Sequence, residues 1–323
     1  MVSRLVILDP MAQPGLDKFA QYLPEDFEIA TSRSREAADQ IEAITGATFV
    51  ITADVPVTAA MMEAGAASGL KAVQKWGVGY DNIDLESARR LGVRVLRTTG
   101  SNAVAVAETA LALILGLQRN IIPGHVGLQK GLWLKRSLSE TSMRLTGKTV
   151  GLVGLGYIGK QLARLLRGFD CDVIYTKRTP ISAEEARELR ARLVTLDELI
   201  ETSDVISLHC ALTEETANMI NRESIARMKK GSILVNTARG GLVNEEDLAE
   251  AVESGHLRGA AVDVFPVEPI APDHRFVGVE RITITPHIGA IAADTYATNV
   301  QRMVHNLACV AAGTEPPELD VLV

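Results

Sequence analysis

Three polar residues that together could reduce a carbonyl follow short apolar runs late in the chain. Arg239 comes after Ile233-Leu234-Val235, Glu268 after Val262-Asp263-Val264, and His287 after Thr283-Ile284-Thr285. An imidazole, with an ordinary pKa of about 6.5, can give a proton to a carbonyl oxygen and recover it at neutral pH. A carboxylate on its other ring nitrogen would orient the ring and favour the charged form. A guanidinium can grip a substrate carboxylate and polarise the carbonyl beside it. Singly, each residue has a plain reading: Pro286-His287 as a turn, Glu268-Pro269 as a loop boundary, Arg239-Gly240 as a surface turn. Their occurrence after successive strand-like runs argues for one catalytic set.

A hydride source is indicated by Val150-Gly151-Leu152-Val153-Gly154-Leu155-Gly156-Tyr157-Ile158-Gly159, an apolar strand entering three glycines at GxGxxG spacing. Gly154 permits a tight turn, Gly156 lets backbone amides approach a pyrophosphate, and Gly159 lets the next helix pack closely. Ile158, Leu162, Leu165 and Leu166 follow at helical spacing, so Tyr157 and Ile158 open a helix whose unpaired amides face the phosphates. An NAD site normally carries an acid about 20 residues farther on, at a strand end. Here that strand ends Ile174-Tyr175-Thr176-Lys177-Arg178-Thr179, and Asp172 is roughly 13 Å back along an extended strand. Lys177 and Arg178 suit a 2′-phosphate, through an ammonium point charge and a bidentate guanidinium. The expectation is therefore NADP(H), with NAD possible and a solvated basic turn as the plain alternative.

Elements that could hold these groups alternate along the 323 residues, enough for two domains. One set of strand candidates is Leu5 to Leu8, Phe49 to Thr52, Ala72 to Lys75 and Val93 to Leu96. The second is Thr149-Val150, Val173 to Tyr175, Val205 to His209, Ile233 to Asn236, Ala260 to Val264 and Ile282 to Thr285. Helical stretches between them argue for α/β architecture with two doubly wound parallel sheets. Periodicity breaks near Thr98-Thr99-Gly100-Ser101-Asn102, a hinge before a long buried helix from Ala103 to Ile122. Another helix is expected over Ala292 to Leu307. If that helix returns to the first domain, residues 101–287 form a dinucleotide-binding domain inserted into a substrate domain of 1–100 and 288–323. Such an insertion would leave a ligand cleft between the domains.

The 40 acidic and 33 basic residues give a net charge of −7, and no long basic run occurs, which argues against nucleic acid. Cys171, Cys210 and Cys309 are odd in number and widely spaced, fitting a reduced, cytoplasmic protein. They form no metal-ligand pattern with histidine. Leu5 to Leu8 is too short for a secretory signal, and Glu108, Gln118, Arg119 and Asn120 interrupt the most membrane-like segment.

The chain resembles the D-2-hydroxyacid dehydrogenases through Gly77-Val78-Gly79-Tyr80-Asp81-Asn82-Ile83-Asp84, Val106-Ala107-Glu108, the glycine fingerprint and His209-Cys210. Asn236-Thr237-Ala238-Arg239-Gly240, Asp263-Val264-Phe265 and Pro286-His287-Ile288-Gly289 continue the agreement. The resemblance implies a flavodoxin-like substrate domain carrying an inserted Rossmann domain. It implies that Arg239 binds and polarises substrate, Glu268 partners His287, and His287 is the acid/base. It assigns Asp263 to the nicotinamide side, and Thr237, Ala238 and Cys210 to the cofactor lining. The amides of Val78 and Gly79 would hold a substrate carboxylate, for which a glycine-flanked turn forms a suitable nest. Ala211 stands where the family usually has proline.

The basic Thr176-Lys177-Arg178 run is similar to NADP-using glyoxylate and hydroxypyruvate reductases. The implied activity is reduction of a small 2-oxoacid to an (R)-2-hydroxyacid, by a homodimer to which the helix from Ala103 contributes. An NAD-dependent phosphoglycerate-type dehydrogenase, or a non-catalytic nucleotide-sensing protein, are the alternatives. No regulatory domain fits after Leu307, which disfavours an elaborated phosphoglycerate enzyme.

Overall fold

A computed structural model of the chain describes residues 2–323. The chain divides into two compact units: one runs through Ser101 and resumes at Ala292–Val323, and the other is Asn102–Ile291. The second crossing thus falls later than residue 287. Asp263 explains the difference, because its carboxylate accepts the amides of Ile288 (2.9 Å) and Gly289 (2.8 Å) and keeps that segment with the second unit.

The first unit contains β1 (Ser3–Ile7), β2 (Phe27–Thr31), β3 (Phe49–Thr52), β4 (Ala72–Lys75) and β5 (Arg94–Leu96). They are parallel in the order β2-β1-β3-β4-β5, the flavodoxin-like winding. The second unit contains β6 (Thr149–Val153), β7 (Asp172–Thr176), β8 (Ala191–Leu193), β9 (Val205–Leu208), β10 (Ile233–Asn236), β11 (Gly259–Val262) and β12 (Ile282–Ile284). Their order, β12-β11-β10-β9-β6-β7-β8, is the dinucleotide-fold winding extended by one strand. Strand β6 lies between β7 and β9, so the chain reverses direction across the sheet at the glycine turn.

Alternation along each strand supplies both faces with apolar side chains. In β10, Ile233 and Val235 join one core cluster while Leu234 joins the other. In β1, Leu5 and Ile7 share a cluster with Val300, Met303, Val304 and Leu307, whereas Val6 faces the opposite core. Strands β2 and β8 lack a clear sequence signal for a common reason. Both are outermost, pair on one side only, and carry exposed charge at Glu28 and Arg192.

The helix beginning at Ala103 ends at Gln118 rather than Ile122. Asn120 adopts a left-handed backbone (φ 52°), and a second helix, Ile121–Gln129, leaves at 66°. No single described helix is long and apolar enough to cross a membrane. The last long helix runs from Tyr296 to Ala312, packs on β4 within the first unit, and stops at Gly313 with φ 70°. The chain then covers the edge of β5 through a Leu96–Val321 bridge. Fully buried Asp320 anchors this segment. It accepts two bonds from Arg302 (both 2.7 Å), one from the Thr99 amide (2.8 Å) and one from Asn306 (3.2 Å).

Candidate active site

The parallel register of the second sheet brings the sequence candidates to one edge. Val153 pairs with Thr176 and Leu208, Leu208 with Asn236, Asn236 with Val262, and Val262 with Ile284. The loops after these residues all emerge on the same side of the sheet, where open parallel sheets present ligands.

At the centre is the glycine turn. Gly154 has φ 98°, and a Cβ there would meet the His209 and Cys210 backbone at 2.7–2.8 Å. A Cβ on Gly159 would lie 2.4 Å from the Gly154 carbonyl, so the helix Tyr157–Leu166 can approach only with glycine there. Gly156 contrasts with both, because nothing lies within 4 Å of its Cβ position. It is also the N-cap of that helix and provides no side-chain cap, which leaves the first amides to an incoming anion. A dinucleotide pyrophosphate fits this geometry. Tyr157 stands beside it and is 53% exposed.

On one side of the turn, β7 delivers Lys177 and Arg178. The Gly154 amide donates to the Thr176 carbonyl (3.0 Å), which fixes the basic pair beside the first glycine. Both residues are exposed, and the Arg178 side chain, 87% exposed, has Glu215 at 4.0 Å. Asp172 lies exposed at the opposite end of the strand. On the other side, His209 and Cys210 follow β9. Burial pushes the Cys210 thiol up to about 11, so it is a neutral thiol, with Sγ 3.8 Å from Met219 Sδ. Ala211, despite replacing the family's proline, is held by Thr216, whose hydroxyl donates to the Ala211 carbonyl (2.8 Å).

His287 and Glu268 are joined directly, Nδ1 to Oε2 at 2.7 Å. The other carboxylate oxygen of Glu268 accepts the Phe265 amide at 2.8 Å. Burial raises the Glu268 pKa, but the His287 bond, the Phe265 amide and the charges of His287 and Arg239 outweigh it and leave it lowered. The carboxylate is therefore ionised at neutral pH and can stabilise an imidazolium. Arg239 donates from Nη1 to the Ala238 carbonyl at 2.7 Å. Its loop is shaped by buried Asn236, which accepts the Ala238 amide (3.0 Å) and donates to the Arg239 carbonyl (2.9 Å). Gly240 allows this loop to pass the next one, since a Cβ there would meet Phe265 backbone at 2.1 Å. Thr237 is buried, and its hydroxyl has no hydrogen-bond partner among the described residues.

Asp263 has a structural duty that the sequence did not reveal. Its carboxylate accepts the Thr285 hydroxyl (2.6 Å) as well as the Ile288 and Gly289 amides, bracketing His287. His287 itself has φ 51°, a left-handed conformation in which histidine is one of the more tolerated side chains. Val78 and Gly79 belong to the other unit. They follow β4 as half-buried loop residues, and neither amide donates to another described residue.

Residues 111–289 match the family described as D-isomer specific 2-hydroxyacid dehydrogenase, NAD binding domain. The chain belongs to this family. Among other D-2-hydroxyacid dehydrogenase relatives, it is 41% identical over 285 residues to a hydroxypyruvate reductase of Thermotoga maritima, covering 86% of this chain and 90% of that one. It is 32% identical over 324 residues to a glyoxylate reductase of Korarchaeum cryptofilum, covering 99% and 96% of the two chains. A solved NAD-dependent formate dehydrogenase from Staphylococcus aureus, in complex with NAD, is similar with a TM-score of 0.88 at 29% identity and 99% coverage of each chain. The chain is thus an enzyme of a pyridine-nucleotide-dependent family.

One residue at this sheet edge, His209, is expected to make the enzyme's stability depend on pH. Burial depresses the His209 imidazole from 6.5 to about 4; Nε2 lies 2.9 Å from Ser207 Oγ, and enclosed Nδ1 has no partner among the described residues. Above the unfolded value both states are neutral and this residue contributes no slope. As pH falls from 6.5 towards 4 the unfolded chain binds the proton first, so stability declines, by about 2 kcal/mol at pH 5. Urea midpoints of the second unit at pH 7 and pH 5 test this; His209→Gln should flatten the difference, and an unchanged slope would count against it.

Proposed function

We propose that this enzyme reduces small 2-oxoacids, glyoxylate or hydroxypyruvate among them, to (R)-2-hydroxyacids with NADP(H). The observation that carries the reading is the 2.7 Å Glu268–His287 bond on the same sheet edge as Arg239 and the glycine turn. When bound, the nicotinamide supplies hydride to the carbonyl carbon. His287 gives its proton to the carbonyl oxygen, and ionised Glu268 supports the charged imidazole beforehand. Arg239 polarises the carbonyl, and the Val78 and Gly79 amides take the carboxylate. Gly154, Gly156, Tyr157, Ile158 and Gly159 hold the pyrophosphate. Cys210, Thr237 and Ala238 line the dinucleotide, while Asp263 serves its nicotinamide side.

Relatives at this similarity include formate dehydrogenases, such as one from Chaetomium thermophilum that is 34% identical over 303 residues. Formate oxidation yields carbon dioxide by loss of hydride alone, with no proton delivered to an oxygen. A carboxylate-paired histidine serves an alcohol–carbonyl reaction, which favours the 2-oxoacid.

The coenzyme preference rests on Lys177 and Arg178 beside Gly154, with no acid at the end of β7. Two charge-assisted contacts to a 2′-phosphate favour NADPH by at least about tenfold. NADPH and NADH oxidation should be followed with 2-oxoacids of increasing size, for the wild type and for K177A/R178A. The double variant should lose most of the preference. Equal efficiency with NADH in the wild type would remove the coenzyme assignment, and tight cofactor binding without turnover across the panel would point to a sensor. The implied homodimer has apolar surface to bury at Ile121, Leu128, Leu132 and Trp133, the last 79% exposed. The same samples should weigh two protomers by light scattering; a single-protomer mass would remove that part of the reading.

A further inference from the structure

Lys75 is the last residue of β4, immediately before the loop that carries Val78 and Gly79, and is only 7% exposed. A lysine is rarely this buried, because its ammonium gives up hydration. Its Nζ donates to the Asn82 Oδ1 at 2.9 Å and also to the Ala53 carbonyl. Asn82 stands at the far end of the loop. Its Nδ2 donates to the carbonyls of Ala53 (3.3 Å) and Val55 (3.2 Å), and its own carbonyl accepts the Val57 amide at 2.8 Å. The residues before and after loop 76–81 are therefore bonded to each other and to the segment just past β3.

The loop has further fixed points near its start. The Trp76 amide donates to the Thr52 carbonyl (2.8 Å), and Thr98 reaches the Gly77 carbonyl with its amide (3.0 Å) and hydroxyl (3.3 Å). Gly77 has φ 131°, which turns the chain sharply before Val78. With both ends pinned, the intervening amides are ordered before any anion arrives, which lowers the entropic cost of binding one.

We propose that Lys75 is a positioning residue for the substrate carboxylate. It closes the neck of loop 76–81 through Asn82 and Ala53, holding the Val78 and Gly79 amides in register, and places a cation three residues from Val78. The inference rests on the proposed role of those amides as the carboxylate site.

Full-length enzyme with Lys75→Met should show KM raised at least about tenfold for the 2-oxoacid that the wild type turns over fastest. The same factor should appear in the inhibition constant of oxamate, a non-reducible carboxylate analogue of glyoxylate. Turnover number and NADPH affinity should stay within about threefold, because the hydride-transfer residues lie elsewhere in the chain. Lys75→Arg, which keeps charge and donors, should recover much of the loss. Asn82→Ala opens the same neck from its other end and should raise KM in the same direction if Lys75→Met does not fold. Equal loss in KM and turnover, or KM and oxamate inhibition unchanged in the folded variants, would overturn the role of Lys75. If oxamate does not compete with the 2-oxoacid even in the wild type, the carboxylate-site reading fails instead, and the inference with it.

Discussion

Replacing His287 with alanine is expected to lower turnover by about 10³-fold while NADPH affinity changes by no more than about threefold. The imidazole is the group bonded to the Glu268 carboxylate, and it is set just beyond β12, away from the glycine turn after β6. Its loss would remove the proposed proton donor while leaving the glycine turn intact. Glu268→Gln provides the graded companion. The amide retains a hydrogen-bond acceptor for Nδ1 but not the negative charge, so the alkaline limb of the kcat/KM profile for reduction, where His287 loses its proton, should move to lower pH and turnover fall by about 10–100-fold. Parallel losses of turnover and cofactor affinity in His287→Ala would contradict the assigned role. An unmoved alkaline limb in Glu268→Gln would contradict electrostatic support by the carboxylate.

Asp320→Ala is expected to destabilise the first unit by about 3 kcal/mol or more. The carboxylate accepts from Arg302 twice, from Asn306 and from the Thr99 amide, and it has no exposed surface. Removing it leaves a buried amide and a partly buried guanidinium without their acceptor, and each omission is costly. Tying the C-terminal segment to β5 also depends on it, so that edge should become available for exchange. Urea unfolding and amide exchange at Val95 and Arg97 measure the two effects. A change below about 1 kcal/mol would mean that the segment is held chiefly by apolar contact.

The central strands were legible because burial on both faces demands uninterrupted apolar runs, as in Val205–Leu208 and Ile233–Asn236. Phe27–Thr31 and Ala191–Leu193 left little trace because each is an edge strand whose apolar run is broken by an exposed charge, Glu28 and Arg192. The first long helix was overextended for a related reason: Ile121 and Ile122 continue its apolar pattern, and only the left-handed Asn120 marks the bend. Arg239, Glu268 and His287 could be read as a set because each comes after a strand in one sheet, and parallel strands deliver their succeeding loops to one edge. Asp263 and Asn236 yielded less. Their work is to bind backbone amides of residues distant in sequence or folded back locally, and a side chain's choice of amide partner has no spacing signature. Lys75 was hidden in the same way, inside a run that reads simply as strand.

The left-handed turn at His287 carries one more implication. A residue with a side chain pays roughly 1 kcal/mol there, so left to local preference this stretch of backbone would relax and swing the ring away from Glu268. Asp263 prevents that by gripping the residues on both sides. If His287 carries the proton as proposed, its placement is held by a buried acid that has no part in the transfer itself.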